Sequence, residues 1–221
     1  MKKNFTIILC CFFTTTIFAQ TNPSFGIKAG VSSSGLQGDA VKSLGNLLDF
    51  SNGMITTGKR TGFFGGGYVD IPISRNISVE PGLYYTQKGY KLKGALNIKG
   101  LSFLDANAKA QLQSQYLDMP LLLKVNVDGF QLFAGPQFSY LINANLHSTV
   151  GALGFNILNN NTDATDQFNR WDAGITGGAG YQFGKGISLF ASYDYGLTKI
   201  DVNKNLDVYN RGFKVGLGFS F

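Results

Sequence analysis

From Ser24 onward the chain alternates between apolar and polar positions. In SFGIKAGVS, residues 24–32, Phe25, Ile27, Ala29 and Val31 share one parity and Lys28 takes the other. The last stretch, RGFKVGLGFSF, repeats the pattern. Phe213, Val215, Leu217, Phe219 and Phe221 fall on one side, and Gly212, Lys214, Gly216, Gly218 and Ser220 on the other. A period of two marks a strand with one apolar face. Eight segments carry it: 24–32, 61–71, 77–88, 115–125, 130–143, 171–183, 187–197 and 208–221. None sustains a helical period.

The connections alternate as well. PISRN, NVDG and GKG are tight turns built from residues that accept turn geometry. The remaining connections, about 33–60, 89–114, 144–170 and 198–207, are long. Short turns therefore gather at one end and long loops at the other. This pattern predicts an all-β fold: an eight-stranded antiparallel transmembrane β-barrel with short periplasmic turns and long extracellular loops. The segment lengths suit the roughly 9–11 residues of a tilted membrane strand.

The faces support the same reading. Lys28, Asp70, Glu80, Asp118, Lys124, Asp172, Asp194 and Lys214 sit on the parity opposite the apolar one. A water-soluble barrel would place apolar side chains inside and charges outside; this chain does the reverse. A polar network inside the barrel is expected from Lys28, Glu80, Asp118, Lys124, Asp172, Asp194 and Lys214. It reads either as ion pairs filling a narrow bore or as an ion or proton path. Eight strands leave an interior roughly filled by side chains, which favours the first. Tyr84, Tyr85, Tyr90, Tyr116, Tyr140, Tyr193 and Tyr195 lie near segment ends, as aromatic girdles do. Pro81, Pro120 and Pro136 fall inside predicted strands and should mark bulges or breaks in pairing.

Composition narrows the class. Only 14% of the 221 residues are charged, against about 25% in ordinary soluble domains. The opening MKKNFTIILCCFFTTTIFAQ has two lysines, a short apolar stretch and Ala19, the layout of a secretory signal peptide. The expected division is a signal peptide at 1–19 and a barrel domain at 20–221. An N-terminal membrane anchor is the rival, disfavoured by the short apolar run and its threonines. Both cysteines, Cys10 and Cys11, lie in this segment, and neither follows the small residue a lipid-attachment site would want. The exported chain would then hold no disulfide. Its net charge would fall from +6 to +4 with Lys2 and Lys3 removed. That charge is too mild and too scattered to suggest nucleic acid.

Candidate chemistry is sparse. His147, the single histidine, reads as an exposed loop residue; Ser148 is its neighbour in sequence but nothing orients the pair. No catalytic, cofactor-binding or metal-binding residues are expected. The runs GFFGGG (62–67) and GITGGAG (174–180) lead into no helix, so they fail the context a phosphate cradle needs. In the first long loop Asp39, Val41, Leu44, Leu47 and Leu48 are spaced for a short helix. Leu96, Ile98, Leu101, Phe103 and Leu104 give the second loop a similar apolar content. Both read equally well as packing over the barrel mouth or as docking surfaces.

Several stretches resemble a known family. FGIKAGVSSSGL, SVEPGLYYTQKG, YLDMPLLLKV, FAGPQFSYLIN, WDAGITGGAGYQF and ASYDYGLTKI are similar to the small PorT-like outer membrane β-barrel proteins of Bacteroidetes, a porin-family group. The bulky Asn169–Arg170–Trp171 approach to Asp172 departs from that pattern. The resemblance implies a bacterial outer membrane location. An outward-alternating last strand also resembles the C-terminal signal read by the barrel-assembly machinery, with Phe219 and Phe221 as its residues. The secretion role of the family's name-giving member is not carried over, because barrel motifs mark a fold and not a task.

The functional expectation is a non-enzymatic structural, binding or scaffold component acting through its loops. A narrow or gated channel and a lipid-modifying barrel enzyme are the rivals. Expected partners are outer membrane lipid, the barrel-assembly machinery during insertion and a protein met through the extracellular loops. No nucleic acid is expected.

Overall fold

The computed structural model of the chain describes residues 22–38, 55–96, 106–152, 155–184, 186–201 and 207–221. The proposed signal peptide lies outside them. So do Asp39, Val41, Leu44, Leu47 and Leu48 of the first loop, and Ile98 to Leu104 of the second. The strands are β1 (Ser24–Gln37), β2 (Ile55–Pro72), β3 (Ile77–Leu96), β4 (Ala106–Val127), β5 (Phe130–Ala152), β6 (Phe155–Asp163), β7 (Trp171–Phe183), β8 (Ile187–Gly196) and β9 (Tyr209–Ser220).

Eight of these close into an antiparallel barrel. The order runs β4-β3-β2-β1-β9-β8-β7-β5, and β4 pairs with β5 to complete the ring. β1 meets β9 from Gly26↔Ser220 to Gln37↔Tyr209, so the last strand does close against the first. Closure removes the edges that lipid could not satisfy. The extra strand, β6, lies above the ring. β7 pairs with the lower part of β5, from Phe130↔Tyr181 to Tyr140↔Trp171. β6 takes the upper part, from Asn145↔Asp163 to Ala152↔Phe155.

The short turns follow the sequence reading. Asp128 (φ 51) and Gly129 (φ 88) supply the two left-handed positions a two-residue hairpin needs. The turn after β2 closes with the Ile73 N–H donating to the Ile77 carbonyl at 2.8 Å.

The long connections differ from expectation. β3 and β4 stay paired up to Leu96↔Ala106, so most of 89–114 is hairpin rather than loop. Much of 144–170 is likewise strand, in upper β5 and β6. The physical reason is the change of solvent. Above the membrane the outward positions become Gln, Asn and Lys, so the apolar period vanishes while backbone pairing continues.

The prolines flank gaps in pairing rather than bulges. The β3–β4 ladder skips from Pro81↔Leu121 to Tyr84↔Asp118 without changing register. The β4–β5 ladder skips from Pro120↔Gln137 to Leu123↔Ala134, with Pro136 inside the gap. Register shifts occur elsewhere, between Lys59 and Phe64 and between Gln115 and Tyr116.

The outer wall is apolar. Ile27, Leu83, Leu123, Leu132, Ile175 and Leu217 are all exposed. Aromatic pairs border this band. At the short-turn end Phe130 meets Tyr181 at 4.9 Å and Phe219 meets Phe221 at 5.2 Å. At the other end Tyr140 meets Trp171 at 5.0 Å and Phe63 meets Tyr85 at 5.8 Å. The 13 residues of β7 join the two belts. At ~3.3 Å per residue and ~40° of tilt they span roughly 30 Å, the thickness of a bilayer's hydrocarbon.

Candidate functional site

The barrel interior holds two groups of charges separated by an aromatic layer. Near the short-turn end, Lys28 of β1 pairs with Glu80 of β3, and Lys124 of β4 pairs with Asp70 of β2 and, at 3.1 Å, with Glu80. The Lys28 ammonium also stands 4.4 Å from the centre of the Tyr68 ring. Alternation explains the convergence, since even-numbered positions of these four strands point inward.

Further up, Asp118 of β4 is fully buried and accepts three bonds. Lys88 reaches it at 2.8 Å, Lys214 at 3.0 Å and the Ser139 hydroxyl at 2.6 Å. Lys214 also pairs with Asp194 at 2.8 Å, and the Thr176 hydroxyl donates to Asp194 at 2.8 Å. Asp172 lies nearer the mouth. Its Oδ2 accepts from Asn210 at 2.7 Å, while its Oδ1 has no hydrogen-bond partner.

Between the groups lie Phe64, Tyr84, Leu122, Phe133 and Phe190, all buried. Phe190 meets Phe64 edge-on at 5.9 Å and Phe133 at 6.3 Å. The rings come from β2, β5 and β8, so they reach inward from around the wall. One small void lies above the layer, among Ser34, Lys88, Asp172 and Asp194; a second lies within it, lined by Phe64, Phe133 and Phe190 and bordered by Lys28 and Lys214, and each has room for no more than a few water molecules.

A second apolar cluster, Leu112, Tyr116, Leu141 and Ala144, fills the upper bore, with Tyr90, Leu146 and Phe168 against it. Phe168 belongs to a short segment folded onto the mouth. That segment is tied down where Ala164 N–H donates to the Ala144 carbonyl at 2.8 Å and Asn169 N–H to the Ile200 carbonyl at 2.8 Å. Asp163 starts it, accepting from the Thr165 backbone N–H at 2.8 Å and from the Thr165 hydroxyl. Those two donors hold the Asp163 carboxyl below the usual carboxylate range. At the same rim, bonding to Asp207 raises the Lys199 ammonium above its ordinary value.

All seven residues of the expected network lie inside, in two groups rather than one. Lys28, Glu80 and Lys124 form the lower group; Asp118, Asp194 and Lys214 belong to the upper, with Asp172 above them. Lys88, Ser139, Thr176 and Asn210 were missed. Lys88 shares its parity with Glu80 and was legible as inward; it stood at the predicted strand's end. Tyr84 and Tyr116 are corrections: both are buried in the interior instead of joining a girdle, and Tyr90 packs against the inner cluster. His147 is also a correction. It lies on β5, exposed, opposite Gln111 of β4 and Asn161 of β6. Ser148 points to the other face of the same strand, so the two make no nucleophile–base pair. Among the described residues no cluster of metal-ligating side chains occurs.

The family described as "Outer membrane protein beta-barrel domain" matches residues 18–202. No curated protein matches the sequence. Solved structures similar in fold include Ail, the attachment invasion locus protein of Yersinia pestis (11% identity, TM-score 0.44, 90% of this chain and 99% of that one). Neisserial surface protein A is similar at 13% identity and TM-score 0.40, over 90% of this chain and 99% of that one. OprG of Pseudomonas aeruginosa follows at 14% identity and TM-score 0.37, over 91% and 97%.

Proposed function

The chain belongs to the outer membrane protein beta-barrel domain family, and from that premise we propose that it is a sealed, non-enzymatic outer membrane barrel. In this reading it works as a structural or binding component through its extracellular rim. The observation that carries the reading is the aromatic layer of Phe64, Tyr84, Phe133 and Phe190 across the bore. A charged lining alone would suit a channel. Here the charges are paired on either side of an aromatic layer whose void has room for only a few waters, and a permeating ion would have to shed most of its water to cross it.

With the bore closed, the surface left for recognition is the rim, where β2 to β6 rise beyond the aromatic belt. The non-enzymatic part is supported by His147, which faces outward while its sequence neighbour Ser148 turns to the opposite face of β5. The stretches similar to PorT-like barrels of Bacteroidetes support a member of that group, exported by a signal peptide. Phe219 and Phe221 would present the assembly signal. Phe221 N–H donates to the Phe25 carbonyl at 2.8 Å, so Phe221 would lock into the wall once the strand has been delivered.

The test is solute uptake into proteoliposomes carrying the refolded chain. Swelling in small sugars no faster than in empty liposomes supports the sealed barrel; fast, size-dependent swelling returns the channel reading.

A further inference from the structure

Three successive ladders of the wall lose pairing at adjoining positions. The β2–β3 ladder skips from Tyr68↔Gly82 to Ile71↔Val79, and Asp70 falls in that gap. The β3–β4 and β4–β5 gaps around Pro81, Pro120 and Pro136 stand beside it. Proline removes a ladder donor, so backbone bonding holds β2, β3 and β4 together only loosely here. The contacts that span the weak region are made by the lower group of charges.

Lys124 of β4 is their centre. Its ammonium touches Asp70 Oδ2 of β2 and, at 3.1 Å, Glu80 Oε2 of β3. One amine thus meets two carboxyl groups, and the two are not equivalent. Glu80 is 1% exposed and held at both oxygens, since Lys28 takes its Oε1. Asp70 is held at one oxygen; its Oδ1 is buried without a hydrogen-bond partner. The Tyr68 ring covers the group, its centre 4.4 Å from the Lys28 ammonium and 5.9 Å from that of Lys124. An amine held against a carboxyl group in this way is placed to condense with it. Fixed contact replaces a bimolecular encounter, and the loss of two charges removes their burial cost.

We propose that the Lys124 amine and the Asp70 carboxyl join in an intramolecular amide bond, with Glu80 relaying the proton. The Lys124 ammonium first passes a proton to Asp70 Oδ2 across their contact, leaving a free amine and a neutral carboxyl. The nitrogen lone pair then forms a bond to Asp70 Cγ. Glu80 takes the proton the nitrogen sheds and returns it to the Oδ2 hydroxyl. The Cγ–Oδ2 bond breaks and one water leaves. Oδ1 becomes the amide oxygen, and Glu80 ends as the carboxylate it began as. Two cations and two anions become one neutral amide and one Lys28–Glu80 pair. The new bond ties β2 to β4 past β3, across the positions where their ladders are open. It is a single self-modification without turnover, so it neither needs nor alters the sealed reading.

The test is the intact mass of the full chain, read under denaturing conditions before and after refolding in detergent. The refolded chain should be lighter than the unfolded one by one water. Its tryptic digest should contain a branched species joining the stretches that carry Asp70 and Lys124, with no cleavage after Lys124. Asp70→Ala and Lys124→Arg should each refold without losing water. Glu80→Gln should slow the loss at least about tenfold, as removal of a proton relay does. A refolded chain that shows the heat-dependent gel shift yet keeps its full mass overturns the proposal. Water loss that survives in Asp70→Ala or Lys124→Arg overturns the assignment to this pair. Bond formation at the parent rate in Glu80→Gln removes Glu80 as the relay.

Discussion

Asp118 of β4 accepts a bond from Lys214 of β9 at 3.0 Å, and those strands stand four places apart in a ring of eight. The pair therefore bridges the bore from wall to wall. Lys88 on the neighbouring strand completes the junction at 2.8 Å. Pairing across the diameter ties together walls that the hydrogen-bonded ladder links only the long way round.

Removing the centre of that junction should be costly. Asp118→Ala leaves Lys88 without its only ion-pair partner among the described residues, and Lys214 with Asp194 alone. A buried charge without its partner costs about 3–5 kcal/mol. Urea unfolding of the refolded barrel should show a loss of that size. Lys214→Met should cost less, since Asp118 keeps Lys88 and Ser139. Equal losses in both variants would remove Asp118 from the centre.

The aromatic layer makes its own prediction. Phe64→Ala with Phe190→Ala takes two touching rings out of the plug. Large-to-small changes of this kind cost about 3–5 kcal/mol each where the site cannot collapse. The double variant should unfold at lower urea and admit ions in a vesicle leakage assay. A destabilised barrel that stays as tight as the parent would move the seal to the upper cluster around Tyr116 and Leu141.

The glycine run GFFGGG is not uniform. A Cβ on Gly66 would lie 2.0 Å from the Leu83 carbonyl oxygen, whereas at Gly65 and Gly67 the nearest atoms are 3.8 and 3.6 Å away. Gly66→Ala should impair barrel formation, seen as loss of the heat-dependent gel shift. Gly65→Ala should fold normally. A normal shift in Gly66→Ala would show that β2 and β3 can separate there.

The turn at the rim should respond to pH. The Asp163 carboxyl titrates below its ordinary value because Thr165 donates to its ionised form. A depressed folded value means the contribution is present above about pH 4, where the free carboxylate is ionised. It is lost as pH falls through the lower folded value. The protection factor of the Thr165 amide, the slowing of its exchange relative to the free amide at the same pH, should fall in acid and in Asp163→Asn at neutral pH. Protection insensitive to both would show that the Ala144 contacts hold the segment unaided.

Much of this architecture is legible in the sequence because the membrane imposes a strict period. Phe213 to Phe221 alternates since one face meets lipid and the other meets Lys28, Ser188 and their neighbours. The same logic placed Lys28, Glu80, Asp118 and Lys214 inside. Parity could not tell which inward residues meet, because that depends on stagger between strands. Lys214 meets Asp118 rather than Glu80 for this reason. Parity also fails where the outer solvent becomes water. Gln111 and Gln113 face outward just as Leu117 does, but nothing apolar marks them, so the tops of β3, β4 and β5 read as loops.

Single-channel recording on the purified chain in a planar bilayer tests the central claim most directly. The account predicts a protein that inserts, shows the gel shift of a folded barrel and gives no unitary openings across the voltage range. Discrete, reproducible openings from the unaltered chain would contradict it, and would make the charges around Asp118 and Glu80 the lining of a pore.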